Sequence, residues 1–353
     1  MNKCLIISYL SCRKILLSLW SMNGDRITSD QLLARGDDRV IIMDGAMGTM
    51  LRGQGVSGNL SELNLTDPER IAQIHRSYIQ SGAELIGTNT FNSEAVASRG
   101  VNIYEINRAG AQIASRVATE EGLNFLPGDE GWKEEWGPRR AIVAGSLVAT
   151  SRNAAVYEQI AKGLLDGGAD ALLLESIYDL AKAEAALTGI RKAIGTRTET
   201  AKRNCSRIGD SSNVKADGNN VAEDIPIMIS VTIDMEGRIL SGEDFRTVFA
   251  RLKKYGIFSL GFNCSMGAEA MIPFASELAE FALRSSRSES AVSICPSAGL
   301  SNSDGRYPED PEFWASCIGR MISGIENEQQ AIFAGGCCGT TPEYIKALKD
   351  SCK

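Results

Sequence analysis

The sequence predicts an α/β protein built as a single (β/α)8 barrel, the TIM-barrel architecture. From residue 40 onward, eight apolar segments of strand length alternate with eight amphipathic helical segments. The apolar segments are nearly continuous, as expected for parallel strands that are buried on both faces. Eight consecutive strand–helix units are the pattern of a (β/α)8 barrel.

The predicted elements follow one another in a regular order. The strands are predicted at residues 40–46, 84–91, 141–148, 171–177, 226–233, 257–264, 291–298 and 331–336. The helices are predicted at residues 68–81, 103–121, 154–167, 180–194, 242–254, 268–283, 311–325 and 342–349. The alternative is a doubly wound sheet, which would usually carry a G-x-G-x-x-G turn after its first strand. Residues 44–49 read DGAMGT instead.

Three segments fall outside this alternation. Residues 1–25 contain an apolar run that is too short and too interrupted to cross a membrane. They fit either an organelle presequence or an upstream start before Met22, so the barrel is predicted for residues 26–353. Residues 127–140 and 196–224 are polar, and the second segment is predicted to be a surface insertion.

Composition excludes several classes of protein. The chain has 353 residues, 43% of them apolar, which is enough to bury the core of one large barrel. Its net charge of -7, without a basic stripe, argues against binding to nucleic acid. The single histidine, His75, lies in a helical pattern and is predicted to have no chemical role. Nine cysteines without a disulfide-framework spacing predict a reducing, cytoplasmic location. No membrane association is expected either.

Three cysteines stand at predicted strand ends. Cys264 ends the sixth strand, and Cys337 and Cys338 follow the eighth strand within the sequence GGCCGTT. The carboxyl ends of barrel strands meet at one rim, so these thiolates are expected to converge. Three thiolates with an open fourth position form a catalytic zinc site. The alternative for each is a small buried core residue, and Cys295 is a weaker competitor for the metal.

A zinc ion held by three thiolates favours chemistry at a substrate thiol. Its net charge of about -1 makes it a poor activator of water, but it removes the proton of a bound thiol and leaves the sulfur nucleophilic. Asp44 and Glu175 are predicted at the same rim, after strands one and four. Either carboxylate would pair with the ammonium of an amino-acid substrate, or serve only as a structural cap. The residues therefore predict alkyl transfer to sulfur.

These motifs resemble the homocysteine S-methyltransferase family, and most closely the homocysteine-binding barrel of cobalamin-dependent methionine synthase. The resemblance covers about residues 38–350 and includes DGAMGT at 44–49, TNTFN at 88–92, GFNC at 261–264 and GGCCGTT at 335–341. It implies zinc-dependent methylation of homocysteine to methionine. The implied zinc ligands are Cys264, Cys337 and Cys338. The implied substrate contacts are Asp44, Ala46, Met47, Asn89 and Glu175.

The chain departs from the family pattern near the metal and in its length. Ser297 and Gly87 replace an asparagine and a glutamate, and residues 148–151 read VATS. The folate- and cobalamin-binding domains of methionine synthase have no counterpart in these 353 residues. The expected donor is therefore S-methylmethionine, S-adenosylmethionine or a betaine, or else methylcobalamin or methyltetrahydrofolate carried by a partner protein. The non-catalytic alternative is a zinc- and homocysteine-binding subunit of a split methionine synthase.

Overall fold

Eight strands alternate with helices along the chain. The computed structural model describes Leu32 and residues 39–122, 140–208, 225–285, 291–327 and 330–352. The strands are β1 (Val40–Ile42), β2 (Leu85–Gly87), β3 (Ile142–Leu147), β4 (Ala171–Ile177), β5 (Ile227–Val231), β6 (Ser259–Gly267), β7 (Ala291–Ser297) and β8 (Ile332–Ala334). The helices are α1 (Met47–Gly53), α2 (Leu63–Thr66), α3 (Pro68–Gln80), α4 (Ile103–Gly122), α5 (Ala154–Asp166), α6 (Leu180–Ile208), α7 (Phe245–Leu252), α8 (Ala268–Ser285), α9 (Pro311–Ser323) and α10 (Pro342–Ser351).

The strands form one closed parallel sheet. Their order is β1-β8-β7-β6-β5-β4-β3-β2, and a parallel bridge between Met43 and Leu85 joins the first strand to the second. The predicted (β/α)8 barrel is therefore confirmed, and the carboxyl ends of all eight strands open onto one rim.

Two apolar cores stabilise the barrel. The interior core contains side chains that point inward from alternate strand positions, among them Ile41, Met43, Ile142 and Phe333. The larger core lies between the outer surface of the strands and the ring of helices. Strand residues are thus buried on both sides, which explains the nearly continuous apolar segments in the sequence.

The polar segment after the fourth strand is helical over its first part. α6 continues to Ile208, beyond the predicted end at residue 194. No proline interrupts residues 196–208, so the helix can continue. The guanidinium of Arg197, in the extended part of α6, also pairs with Asp166 of α5. Residues 209–224 of the predicted insertion, residues 127–139 and residues 1–25 lie outside the described residues. Among the described helices, none is long and apolar enough to cross a membrane.

His75 is buried on α3 without a polar partner among the described residues. Its side chain is fully buried, and both ring nitrogens lack a hydrogen bond in that part of the chain. Burial lowers the pKa of His75 from 6.5 to about 4, because an imidazolium would lose its hydration there. The prediction of a structural helix residue agrees with this environment.

This burial predicts acid sensitivity of folding. The unfolded chain binds a proton at His75 near pH 6.5 and the folded chain only near pH 4, so stability is lost as the pH falls through this window. The loss should approach about 3 kcal/mol for this one group. We expect His75→Leu to remove this component, so that the stability difference between variant and wild type grows from pH 7 to pH 5. Denaturant unfolding at both pH values measures it, and parallel pH profiles would contradict it.

Candidate active site

Three cysteine sulfurs converge at the rim of the barrel. Cys264, Cys337 and Cys338 place their Sγ atoms within 4.8 Å of one another, and the Cys264 and Cys338 sulfurs are 3.6 Å apart. All three side chains are half-buried, so one side of the cluster faces the opening of the barrel. The three cysteines therefore lie together, as the sequence predicted.

The cluster fits a zinc ion. A tetrahedral zinc ion lies about 2.3 Å from each sulfur, which separates the sulfurs by about 3.8 Å. The observed spacing requires only small side-chain movements to reach that geometry. A three-sulfur set that leaves one side open matches a zinc centre with a position for a substrate ligand. Cys264, Cys337 and Cys338 are therefore the residues that would hold the metal.

The pKa values of the three thiols depend strongly on one another. Hydrogen bonds from the thiols of Cys337 and Cys338 lower the pKa of Cys264 well below its usual range. Hydrogen bonding to Cys264, together with burial and the charge on that sulfur, raises the pKa of Cys337 and raises that of Cys338 to about 11. Like charges this close oppose one another, so a divalent cation would be needed to keep all three deprotonated at neutral pH.

The adjacent cysteines are held by a tight turn after β8. The Cys337 amide donates to the Pro296 carbonyl at 2.9 Å, and the Cys338 carbonyl accepts from the Ala298 amide at 2.9 Å. The Thr340 hydroxyl donates to the Cys337 carbonyl at 2.7 Å. A Cβ atom on Gly336 would lie 2.2 Å from the Thr340 hydroxyl oxygen, which is why glycine precedes the pair.

Cys264 is presented by an irregular part of β6. The pairing of β6 with β7 shifts between Asn263 and Gly267, and Cys264 and Ser265 have positive φ values of 59° and 53°. Such left-handed backbone is rarely adopted by residues other than glycine. The strand thus continues to Gly267 rather than ending at Cys264 as predicted, and the bulge turns the cysteine toward the other two.

Two carboxylates lie at the same mouth, that of Asp44 buried and that of Glu175 half-buried. Asp44 follows β1 and accepts a hydrogen bond from the Gly87 amide at 2.9 Å, while Glu175 of β4 accepts one from the Ser146 hydroxyl. Burial raises the pKa of Glu175 to about 7, and the charge on Cys264 adds to that shift. The pKa of Asp44 is raised by burial and, to a smaller extent, by Glu175. Two carboxylates in such a dry site favour a cationic ligand that stabilises their charged forms.

Comparison with known proteins settles the family. A sequence model described as homocysteine S-methyltransferase matches residues 41–352. The chain belongs to the homocysteine S-methyltransferase family. It is accordingly a methyltransferase, and members of this family transfer methyl groups to homocysteine.

Solved structures of one homocysteine methyltransferase share the fold. The metallated form of MmuM from Escherichia coli superimposes with a TM-score of 0.63 at 20% identity, over 91% of this chain and 99% of MmuM. Its oxidized form gives a TM-score of 0.62 at 20% identity, over 89% of this chain and 96% of MmuM. Identity at this level shows a common fold.

Two of the three remaining predicted substrate contacts, Ala46 and Asn89, already hydrogen-bond within the protein. The Ala46 amide donates to the Thr340 hydroxyl at 3.2 Å, and Met47 is the first residue of α1. Asn89 is buried, and its side-chain nitrogen donates to the Leu60 carbonyl at 2.8 Å and to Asn64 at 3.0 Å. A contact between Asn89 and the substrate, which stays a prediction, would therefore use its side-chain oxygen.

Ser297 lies close to the cysteine cluster, whereas Cys295 does not belong to it. The Ser297 hydroxyl, which replaces the family asparagine, is 3.6 Å from Cys264 Sγ and donates to it. Cys295 points into the barrel, with its Sγ 3.6 Å from the sulfur of Met43, and burial raises the pKa of its thiol. It is absent from the cluster of potential metal ligands found among the described residues. The competition expected from Cys295 is therefore not supported.

Three further residues of the site were not singled out from sequence. Ser146 of β3 donates to Glu175, and Asn263 contacts Cys337. Tyr307, in the connection after β7, hydrogen-bonds with Cys338, and burial and the neighbouring sulfurs raise its pKa to about 12. A Cβ atom on Gly339 would lie 2.2 Å from the Tyr307 ring, so glycine at that position lets the ring reach the sulfur. The position of Asn263 directly before Cys264 could have identified it from the sequence. No sequence pattern points to Ser146 or Tyr307.

Proposed function

We propose that this chain transfers a methyl group to the thiol of L-homocysteine in a zinc-dependent reaction that yields methionine. The observation that carries the proposal is the convergence of three cysteine sulfurs within 4.8 Å, at the same barrel mouth as the buried carboxylate of Asp44 and the half-buried carboxylate of Glu175. Sulfur ligands with an open side suit a substrate thiol, and the carboxylates suit the ammonium group of an amino acid.

The protein residues divide the substrate between two subsites. Bound zinc would remove the proton of the homocysteine thiol and leave its sulfur nucleophilic. Asp44 and Glu175 bind the ammonium group and orient the sulfur toward the donor. The sulfur forms a bond to the methyl carbon while the bond between that carbon and the donor breaks. The electron pair of the broken bond stays with the donor. The thiol proton is released to solvent.

The methyl donor reaches the site from the open face of the barrel. Six large apolar side chains are exposed in the described chain, and all lie in segments that follow strands or in the first turn of the next helix. They are Leu65, Phe91, Met235, Leu240, Leu300 and Phe313. Exposed apolar side chains on these connections would suit contact with a docking partner. It favours, as a second candidate, the zinc- and homocysteine-binding subunit of a split methionine synthase.

A donor screen tests the proposal and separates the two candidates. Purified protein loaded with zinc is incubated with L-homocysteine and, in turn, S-methylmethionine, S-adenosylmethionine, glycine betaine, methylcobalamin or methyltetrahydrofolate. Methionine formation that stops after zinc chelation and returns on adding zinc supports the proposed reaction. Tight homocysteine binding without turnover on any of these donors supports the binding subunit. Turnover that persists after complete removal of zinc contradicts zinc dependence.

A further inference from the structure

One amide side chain connects the cysteine cluster with the carboxylate strand. Asn263 of β6 is buried, with 2% of its surface exposed. Its Oδ1 accepts hydrogen bonds from the Ser176 amide at 2.9 Å and from the Ser230 hydroxyl at 2.8 Å. Its Nδ2 donates to the Ser176 hydroxyl at 2.7 Å and lies 3.9 Å from Cys337 Sγ. The amide thus uses two acceptor and two donor positions, which is its full capacity.

These contacts join β4, β5 and β6 to the turn that follows β8. Ser176 follows Glu175 in β4, Asn263 precedes Cys264 in β6, and Cys337 follows β8. Asn263 therefore holds the residue next to the carboxylate and, at the same time, contacts one sulfur of the cluster and adjoins another. Since the contacts are buried, the amide opposes any change in the separation of the two subsites.

The backbone at both subsites is irregular where this amide binds. β4 shifts its pairing between Leu174 and Ile177, and Ser176 has a positive φ of 55°. β6 shifts its pairing immediately after Asn263, where Cys264 has a φ of 59°. Non-glycine residues in this region cost of order 1 kcal/mol and persist only when their surroundings hold them. Asn263 supplies two hydrogen bonds to Ser176 that hold it in this conformation.

We propose that Asn263 is a positioning residue that fixes the distance between the thiol subsite and the ammonium subsite. By fixing that distance it selects an amino-acid thiol with the chain length of homocysteine over cysteine, which is shorter by one methylene group. The inference rests on the proposed function, because it assigns the thiol to the cysteine cluster and the ammonium to Glu175 and Asp44. A ligand shorter by one methylene cannot reach both subsites when their separation is fixed.

Binding selectivity tests this inference without requiring a methyl donor. Titration calorimetry of zinc-loaded protein with L-homocysteine and with L-cysteine gives the ratio of their dissociation constants. We expect Asn263→Ala to reduce the preference for homocysteine about tenfold, the equivalent of one lost hydrogen bond. Ser176→Ala removes one acceptor of the amide and should reduce it less. This second variant keeps the inference testable if Asn263→Ala does not fold.

Ser230→Ala is the matched control. It removes a hydrogen bond to the same Oδ1 atom but leaves the contacts to Ser176 and Cys337, so its selectivity should equal that of the wild type. Zinc content of each variant is measured in parallel. Wild-type selectivity in both Asn263→Ala and Ser176→Ala, at full zinc content, overturns the inference while leaving the proposed function intact. Absence of homocysteine binding by the wild type instead contradicts the proposed function itself.

Discussion

Cys337→Ala is expected to abolish both zinc retention and homocysteine methylation. Within the cluster, the Cys337 sulfur contacts Asn263 and interacts with both Cys264 and Cys338. With two sulfurs left, the site loses a charge and a fixed ligand. Loss of a ligand should exceed the 10- to 100-fold effect of removing a residue that supports a ligand. We therefore expect activity to fall by more than about 100-fold, measured together with zinc stoichiometry after dialysis.

Cys295→Ala is the control for this experiment. Cys295 also lies on a strand near the rim, but its sulfur faces Met43 inside the barrel. Its removal should leave zinc content at wild-type level. Stoichiometric zinc and normal turnover in Cys337→Ala would refute the assignment of the metal centre. Loss of zinc in both variants would point instead to general damage of the barrel.

Glu175→Gln is expected to weaken homocysteine binding. The substitution keeps the size of the side chain but removes the negative charge that we propose faces the substrate ammonium. Losing one partner of such a pair costs about 2 kcal/mol or more, so KM for homocysteine should rise about 30-fold. Asp44 remains as a second carboxylate, so binding is reduced rather than abolished. Steady-state kinetics with a donor found active for the wild type gives this value.

The pH dependence of KM separates charge from shape. Because the pKa of Glu175 is raised to about 7, the carboxylate forms as the pH rises through 7, and wild-type KM for homocysteine should fall over that range. Glu175→Gln should lack this transition. Ser146→Ala removes a hydrogen bond that lowers the pKa of Glu175, so its transition should move to higher pH. An unchanged profile in both variants would exclude Glu175 as the ammonium partner.

Strand positions were predicted well where the chain is apolar on both sides of the sheet. β4 occupies residues 171–177, as predicted, because all its positions except Glu175 and Ser176 are buried against helices or inside the barrel. β2 is shorter than predicted and ends at Gly87. The Thr88 amide still donates to the Ala144 carbonyl of β3 at 3.0 Å, but from this residue onward side chains also bond to one another, as the hydroxyl oxygens of Thr88 and Thr90 do at 2.6 Å. Apolar periodicity reports burial but not such local hydrogen bonding between side chains.

The sequence by itself determined the barrel and the convergence of Cys264, Cys337 and Cys338 at one rim. Alternation of apolar strands with amphipathic helices sets the fold, and parallel strands bring their carboxyl ends together whatever the side chains are. Local glycines around Cys337 and Cys338 made the paired cysteines conspicuous.

Only the tertiary structure decided which side chains contact one another at the rim. A bulge turns Cys264, burial raises the pKa of Glu175, and Asn263 contacts residues 33 to 87 positions away from it. Such contacts depend on register shifts of individual strands and on the orientation of single side chains. Neither follows from hydrophobic pattern or motif spacing, because both are set by the packing of the completed barrel.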